Sequence, residues 1–156
     1  MSVNPITKIA PRQNAALDNF LHHCHSKKYA ARSTIIHAGD ESETLYYIID
    51  GSVSVVIEDE DCNEIVLAYL NPGDFFGEMG LFEEHTKRSA WVNTRTVCDV
   101  AEIHYQQFMQ LARETPEILF QLSSQLASRL RNTSRKVSNL AFMDVTGRVA
   151  RTLLDL

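Results

Sequence analysis

The sequence predicts a mainly β protein with α elements, in which a barrel or jelly-roll-like β domain is followed by a long helix. First, short β-branched and aromatic runs alternate with turn residues every 8 to 12 positions between residues 30 and 104. Second, glycine is absent from residue 105 to 146 and the helical period takes over. Third, 156 residues with 44% hydrophobic content suit one ordinary domain with its own core.

A short amphipathic helix opens the chain over residues 13–24, because Ala16, Leu17, Phe20 and Leu21 recur at helical spacing. From residue 29 the period changes. STIIHAGDESETLYYIIDGSVSVVIEDEDCNEIVLAYLNPGD holds three strand-like runs separated by Gly-Asp, Asp-Gly and Asn-Pro-Gly-Asp turns. Further strands are expected at 89–95 and 97–104. About seven or eight short antiparallel strands therefore lie between residues 30 and 104.

The helical period returns in YQQFMQLARE and then in a long segment that begins at Pro116. Proline suits the first helical position because its missing N–H would be unpaired there anyway, and Thr115 is a suitable N-cap. A long helix is predicted over about 116–142. Asp144 in MDVTGRV resembles a new N-cap, so a bend and a final helix from near Val145 are expected.

The long helix carries an apolar stripe with a seven-residue repeat, typical of a coiled-coil seam. Its members are Leu119, Leu122, Leu126, Leu130, Val137 and Leu140, with Thr133 at one repeat position. Either the stripe only covers the β domain, or it pairs with a second copy. A helix of roughly 40 Å, at 1.5 Å per residue, would overhang so small a domain, which favours a parallel homodimer.

Composition excludes several classes of protein. The net charge of −5 disfavours a chain wrapped as a whole around nucleic acid. Cys24, Cys62 and Cys98 are odd in number and far apart, which indicates neither a disulfide framework nor a zinc site and fits a reducing cytoplasm. The first residues lack an apolar signal region, and no window approaches 18 consecutive apolar residues. We expect a cytoplasmic protein with no membrane partner.

The stretch FFGEMGLFEEHTKRSAWV has the composition of an anion site. Gly77 and Gly80 let backbone amides around Glu78 and Met79 approach a ligand closely, and the LFEE segment can start one helical turn. Such a turn predicts a cradle for a negatively charged group.

Two later residues in the same stretch supply donors for a phosphate. Arg88 offers a planar fork of N–H groups, and Ser89 adds a hydroxyl and an amide. Glu78 would repel a phosphate, so it is expected to accept a hydrogen bond from a sugar hydroxyl. The alternative is a structural ion pair between Glu78 and Arg88.

The chain resembles the bacterial cyclic-AMP receptor proteins, also called catabolite activators, and the similar virulence factor regulators. The resemblance is carried by FLHHCHSKKYAARSTIIHAGD, SETLYYIIDGSVSVVIEDED, LAYLNPGDFFGEMGLFEE and NTSRKVSNLAFMDVTGRVARTLLDL, so it covers roughly residues 17–156. It implies a β-roll that binds cyclic AMP, a dimerisation helix, and a following winged helix-turn-helix that binds DNA. The expected division is residues 1–115 for the β-roll, 116–143 for the dimerisation helix and 144–156 for a hinge, without the DNA-binding domain.

The resemblance also assigns roles to individual residues. Arg88 and Ser89 would hold the cyclic phosphate and Glu78 the ribose hydroxyl, while Gly77 and Met79 shape the cassette. Leu67 and Ala68 would line the purine, although some relatives carry serine in place of Ala68. On the long helix, Arg129, Thr133 and Ser134 match the positions that close over the nucleotide, with Ser134 reaching it from the partner subunit.

Partners of the intact protein follow from the same resemblance: promoter DNA and RNA polymerase. His25 and Lys27 match a surface that touches the polymerase, but Gln107 stands where a relative has lysine. The acidic run from Glu58 to Asp61 is either a solvated hairpin tip or a second polymerase contact.

Two other classes of function are weighed against this one. A cupin-type metal enzyme would need convergent histidines, but His37, His85 and His104 lack the close His-x-His spacing. The other class is a haem or iron–sulfur sensor of the same superfamily, and three scattered cysteines argue against an iron–sulfur cluster. The histidines around Cys24 do not converge on one metal ion. No nucleophile with a base is found, so we expect neither a metal cofactor nor enzymatic activity.

Overall fold

The computed structural model describes residues 10–84 and 86–155, and within these ranges it forms a β-roll followed by a long helix. The mainly β fold with a long C-terminal helix is confirmed. The elements are α1 (Ala10–His23), β1 (His25–Tyr29), β2 (Thr34–Ile36), β3 (Thr44–Asp50), β4 (Val53–Glu58), β5 (Glu64–Leu70), β6 (Phe75–Phe76), α2 (Met79–Phe82), β7 (Trp91–Thr94), β8 (Cys98–His104), α3 (Tyr105–Glu114) and α4 (Glu117–Leu154).

The strands of the described ranges form two antiparallel sheets of four strands each. One sheet has the order β1-β8-β3-β6 and the other the order β2-β7-β4-β5. The consecutive strands β5 and β6 are thus edge strands of different sheets. Strand β6 belongs to the first sheet and β7 to the second. The segment between them, which holds the expected anion cradle, therefore crosses from one sheet to the other.

Alternating apolar residues from both sheets meet in one core, as expected for strands with one buried face. Its buried members are Ile36, Ile48, Val53, Leu70, Phe76, Val92, Cys98 and Val100. The opening helix adds Phe20, which is fully buried and contacts the rings of Tyr47, Phe75 and Phe108. The predicted helix of residues 13–24 is confirmed as α1, with Ala16 and Phe20 on its buried face.

Strand β5 contains a bulge that the hydrophobic pattern does not reveal. Val55 of β4 pairs with Ala68, but the next residue, Val56, pairs with Val66. Leu67 is therefore an extra residue on β5, opposite no residue of β4. Leu67 is 48% exposed, whereas Ala68 packs on the core.

The long helix is correctly predicted, but its C-terminal end is not. Helix α4 runs without interruption from Glu117 to Leu154, so a bend with a new helix near Val145 is wrong. The carboxylate of Asp144 instead forms an ion pair with Arg148, one turn later, at 3.1 Å. An aspartate suits this mid-helix pair as well as an N-cap, which is why the local sequence is ambiguous.

At the start of α4 the hydroxyl of Thr115, the expected N-cap, takes part in a tertiary contact. The helix begins at Glu117, one residue after Pro116. The hydroxyl of Thr115 accepts a hydrogen bond from the side-chain amide of Asn19, at 3.3 Å. Thr115 thus fastens the α3–α4 junction to α1.

The chain divides into two compact units, Met1–Leu119 and Phe120–Leu156. The first contains the β-roll with α1 to α3, and the second consists of the greater part of α4. The finer division at residues 115 and 143 remains a prediction. None of the helices in the described ranges combines the length and apolarity needed to cross a membrane.

Candidate functional site

The anion cradle predicted around Gly77 is built on the turn that joins β5 to β6. The carboxylate of Asp74 accepts the backbone N–H of Asn71 at 2.8 Å, which closes the turn. The turn is fixed to β3, because Gly73 N–H donates to the carbonyl of Ile48 and Ile48 N–H donates to that of Asp74, at 2.9 and 3.0 Å. The cassette that follows, residues 75–89, therefore starts from a rigid base.

Gly77 occupies a position that only glycine fits. Its φ of +74° lies in the left-handed region, and a Cβ there would be 2.8 Å from Nη1 of Arg88 and 2.9 Å from the ring of Tyr46. The backbone of Gly77 thus approaches the arginine side chain directly. The chain therefore turns closely at Gly77, and the approach of its amides to a ligand remains a prediction.

The guanidinium of Arg88 is held by the β-roll itself. Nη1 donates to the carbonyl of Gly77 at 2.9 Å and to the hydroxyl of Tyr105 at 3.2 Å, and Nη2 donates to the carbonyl of Thr44 at 2.7 Å. These partners in the described part of the chain are neutral oxygen atoms, which does not favour the alternative of a Glu78–Arg88 ion pair. Two of the five N–H groups of the guanidinium are not used by these bonds.

The main chain of Arg88 is also fixed, by the loop between β2 and β3. Its N–H donates to the carbonyl of Asp40, and its own carbonyl accepts the N–H of Gly39, both at 2.8 Å. The Gly-Asp pair read from the sequence as a turn thus holds Arg88 in register with the cassette.

A small cleft at Arg88 has the wrong charge for a phosphate. Its volume is about 150 Å³, and three acidic residues line it together with Arg88: Asp40, Glu41 and Glu43. Carboxylates repel an anionic ligand, so this cleft does not extend the cradle. The chemistry favours the cassette side of the arginine.

Two aromatic rings shield the guanidinium. The ring of Tyr46 lies 5.7 Å and that of Tyr105 6.0 Å from its central carbon. Burial raises the pKa of Tyr46, with a further rise from Glu102 and an opposing effect from Arg88. Tyr46 therefore stays neutral and contributes a cation–π contact and an apolar wall.

The remaining cassette residues lie around a single helical turn, α2, as predicted for this segment. Glu78 is half-buried and occupies the N-cap position of α2, where its carbonyl accepts the N–H of Leu81 at 2.9 Å. The hydroxyl of Ser89 points to the sulfur of Met79 at 3.7 Å. The structure thus brings Met79 and Ser89 together, as it does Gly77 and Arg88.

The other residues assigned to the nucleotide lie elsewhere in the chain. Leu67 and Ala68 lie at the bulge of β5, one strand before the cassette. Arg129, Thr133 and Ser134 belong to the second unit, where Arg129 donates to the side chain of Gln125 at 3.4 Å and the other two are exposed. Their part in one common site remains a prediction.

The predicted seam on α4 has members in three environments. Leu122 is buried within the chain, Leu119 and Leu126 are half-buried, and Leu130, Val137 and Leu140 are 68%, 61% and 66% exposed. The exposed members are those for which a partner chain would provide cover.

Sequence reasoning missed three contributors to the cassette: Tyr105, Ser42 and the carbonyl of Thr44. The hydroxyl of Tyr105 donates to the carbonyl of Gly77 and lies 2.5 Å from the hydroxyl of Ser42. These residues are 17 to 63 positions from their partners in sequence, so no local pattern could have identified them.

No metal site is found among the described histidines and cysteines. Within the described residues, which exclude His85, no group of three or more His, Cys, Asp or Glu side chains is arranged to hold an ion. Burial raises the pKa of the Cys24 thiol to about 12, so the thiol is protonated at neutral pH.

Known proteins match this chain over most of its length. A protein-family model described as "Cyclic nucleotide-binding domain" matches residues 26–115. A "cAMP-activated global transcriptional regulator CRP" of Pasteurella multocida is 58% identical over 146 residues, 94% of this chain and 70% of that protein. The "cAMP-activated global transcriptional regulator Vfr" of Pseudomonas aeruginosa is 59% identical over 143 residues, 90% of this chain and 67% of that protein.

Solved structures share the fold. The regulator CLP of Xanthomonas campestris, described as c-di-GMP responsive, superposes with a TM-score of 0.78 at 44% identity, over 92% of this chain and 72% of that one. The catabolite activator protein of Thermus thermophilus gives a TM-score of 0.72 at 27% identity, over 82% and 60% of the two chains.

Proposed function

Because this chain belongs to the cyclic nucleotide-binding domain family, we propose that it is the cyclic AMP-binding sensor and dimerisation module of a transcription regulator. The relatives with which it shares 58 to 59% identity are cAMP-activated global regulators. A haem sensor or a cupin-type metal protein is not favoured by this relationship.

The observation that carries the proposal is the fixed position of Arg88 at the Gly77 turn. Two backbone carbonyls and a phenol hold the guanidinium, and two further N–H groups are available, the number that a bidentate phosphate contact requires. The side chain is thus oriented before a ligand arrives, which lowers the entropy lost on binding.

The other assigned residues complete the proposed site. Ser89 supplies a second phosphate donor, and Glu78 accepts the ribose hydroxyl, which suits a carboxylate that must not face the phosphate. Leu67 and Ala68 contact the purine, and Arg129, Thr133 and the partner subunit's Ser134 close over it. This last step requires a parallel dimer through α4.

The proposed mechanism is a coupling free energy rather than catalysis. A nucleotide that contacts both the cassette and α4 stabilises one arrangement of the dimer over others, in proportion to its differential affinity. In the intact protein this change is passed to a DNA-binding domain and alters its contact with promoter DNA and RNA polymerase. We place the protein in the cytoplasm, where its relatives' role as transcription regulators would require it.

Isothermal titration tests the proposal directly. We expect cyclic AMP to bind the wild-type chain, and Arg88→Leu to weaken binding by on the order of 10² to 10⁴, since removal of one partner of a buried charge pair costs roughly 3 to 5 kcal/mol. Circular dichroism should show that the variant is folded, and Ser89→Ala provides a milder loss at the same phosphate. If folded Arg88→Leu binds cyclic AMP with wild-type affinity, the cassette is not the phosphate-binding site.

The same titration should include cyclic GMP and c-di-GMP. The solved relative from Xanthomonas campestris is described as responding to c-di-GMP, so the fold alone does not determine the ligand. We expect cyclic AMP to bind most tightly. If c-di-GMP binds more tightly, the protein is still a nucleotide sensor, but its ligand is c-di-GMP and not cyclic AMP.

A further inference from the structure

Tyr105 lies at the centre of a closed hydrogen-bond network beneath the cassette. It is the first residue of α3 and follows β8 directly, and its side chain is half-buried. Its hydroxyl contacts Ser42, the carbonyl of Gly77 and Nη1 of Arg88. We call these four groups the Tyr105 clasp.

The donors and acceptors of the clasp determine one another. A phenol has one proton to donate and can accept two hydrogen bonds. Tyr105 donates to the carbonyl of Gly77, so it accepts from Arg88 and from Ser42, which makes Ser42 the donor in their 2.5 Å contact. The Gly77 carbonyl in turn accepts from both Tyr105 and Arg88, which uses both of its lone pairs.

The cassette packs tightly on this network. A Cβ added at Gly80, in α2, would lie 2.3 Å from the hydroxyl oxygen of Ser42 and 3.0 Å from the ring of Tyr105. The two residues therefore support the cassette helix from below as well as holding the Gly77 carbonyl. The clasp thus joins the loop between β2 and β3, the cassette and the start of α3.

The clasp controls a degree of freedom that the main chain leaves open. Contacts with residues 39 and 40 fix the backbone of Arg88, but an arginine side chain can still adopt many rotamers on a fixed backbone. Thr44 holds one end of the guanidinium, and Tyr105 with Gly77 holds the other. With both ends fixed, the plane of the guanidinium is fixed too.

We propose that Tyr105 is a positioning residue, whose hydroxyl sets the orientation of the Arg88 guanidinium and the Gly77 carbonyl for binding of the cyclic phosphate. This inference rests on the proposed function. It assigns Ser42 a supporting part, since its hydroxyl donates to Tyr105 and leaves that residue's own proton for Gly77.

Tyr105→Phe tests the inference, because it removes the hydroxyl and keeps the ring. Measured by isothermal titration, affinity for cyclic AMP should fall about tenfold, and Ser42→Ala should cause a smaller loss of about two- to threefold. Tyr29→Phe is the matched control. It also removes a phenol hydroxyl that donates to a partner, Glu102, but one with no contact to Arg88, so affinity should be unchanged.

A double-mutant cycle separates positioning from a general structural effect. If Tyr105 acts through the arginine, Tyr105→Phe should cost little further affinity in an Arg88→Lys background, where the planar fork is already lost. Additive losses would show that Tyr105 only supports the fold and would overturn the inference.

A second measurement does not depend on nucleotide. Nitrogen-15 NMR of the Arg88 guanidinium should show slowly exchanging N–H protons in the wild type and faster exchange in Tyr105→Phe. Equal exchange rates in the two proteins would contradict the clasp.

The two proposals can fail separately. A wild-type chain that binds no cyclic nucleotide would overturn both the proposed function and this inference. Wild-type binding together with unchanged affinity in Tyr105→Phe would overturn the inference alone.

Discussion

Arg88 shows how one side chain can stabilise the folded β-roll and still be available to a ligand. Its hydrogen bonds satisfy the carbonyl of Thr44 and give the carbonyl of Gly77 a second donor beside Tyr105. A phosphate that used the remaining N–H groups would not have to break these bonds. The residue types of the cassette were predictable from sequence because glycine, arginine and serine have distinct chemistry, but the clasp was not, because it forms between distant segments.

Gly77 provides a test of the close approach between backbone and arginine. Gly77→Ala should lower the free energy of unfolding by about 1 to 2 kcal/mol for the left-handed backbone and should also weaken cyclic AMP binding, because the new methyl displaces Nη1 of Arg88. Gly73→Ala is the matched control, with φ of +94° but its nearest contact at 3.9 Å. It should lose stability without losing affinity. Equal affinities in both variants would contradict the role of the contact.

Ionisable groups in the β-roll predict a loss of stability at alkaline pH. Burial raises the pKa of Cys24 from its usual value of 9.0 to about 12, so the unfolded chain releases this proton first. Stability is therefore complete below pH 9 and falls as pH rises toward 12, by up to about 1.4 kcal/mol per pH unit for one proton. Urea unfolding at pH 8.5 and 10.5 should show a smaller decline in Cys24→Ser. An unchanged slope would indicate that the buried tyrosines Tyr46 and Tyr47, whose pKa values are also raised, account for it.

Among the elements, the strands and α3 follow the sequence pattern closely, whereas α4 exceeds it. The seven-residue repeat predicted the helix but could not show that it continues past Asp144, since a capping residue and an ion-pairing residue look alike in sequence. At 38 residues the helix is about 57 Å long. The bulge at Leu67 was also invisible, because an extra residue in a strand leaves no local signature.

Asp144→Ala distinguishes the two interpretations of that residue. As one partner of an exposed pair with Arg148, it should change the free energy of unfolding by no more than about 0.5 kcal/mol. Loss of an N-cap would cost about 1 kcal/mol or more. Arg148→Ala should have an effect similar to that of Asp144→Ala. Thermal unfolding followed by circular dichroism measures both variants. A large loss of stability confined to Asp144→Ala would support the interpretation of Asp144 as an N-cap.

For the whole molecule, the apolar surface of the second unit is the feature that one chain leaves unexplained. Single soluble chains rarely expose long contiguous apolar stripes. The exposed large apolar residues of this unit are Phe120, Leu130, Val137, Leu140, Phe142, Met143, Val145, Val149, Leu153 and Leu154. The heptad pattern indicated this surface from sequence, and a second copy of α4 is the proposed cover.

Val137→Glu tests the dimer without disturbing the core, because Val137 is exposed in the single chain. A parallel dimer would place two like charges close together in an apolar seam, so we expect monomers in sedimentation velocity experiments. Ser128→Glu adds the same charge two residues after Leu126, on the opposite side of the helix, and should remain dimeric. A Val137→Glu variant that sediments like the wild type would exclude this seam as the interface.

The bulge in β5 has a consequence for how that strand can evolve. Successive side chains of a strand point to opposite faces of the sheet, and Leu67 is one extra residue between Val66 and Ala68. The residues before and after Leu67 therefore pair with β4 in registers that differ by one residue. Substitutions after the bulge, at Ala68 or Leu70, therefore alter the packing of the β-roll core, whereas Leu67 is exposed, pairs with no residue of β4 and can change with little effect on that packing.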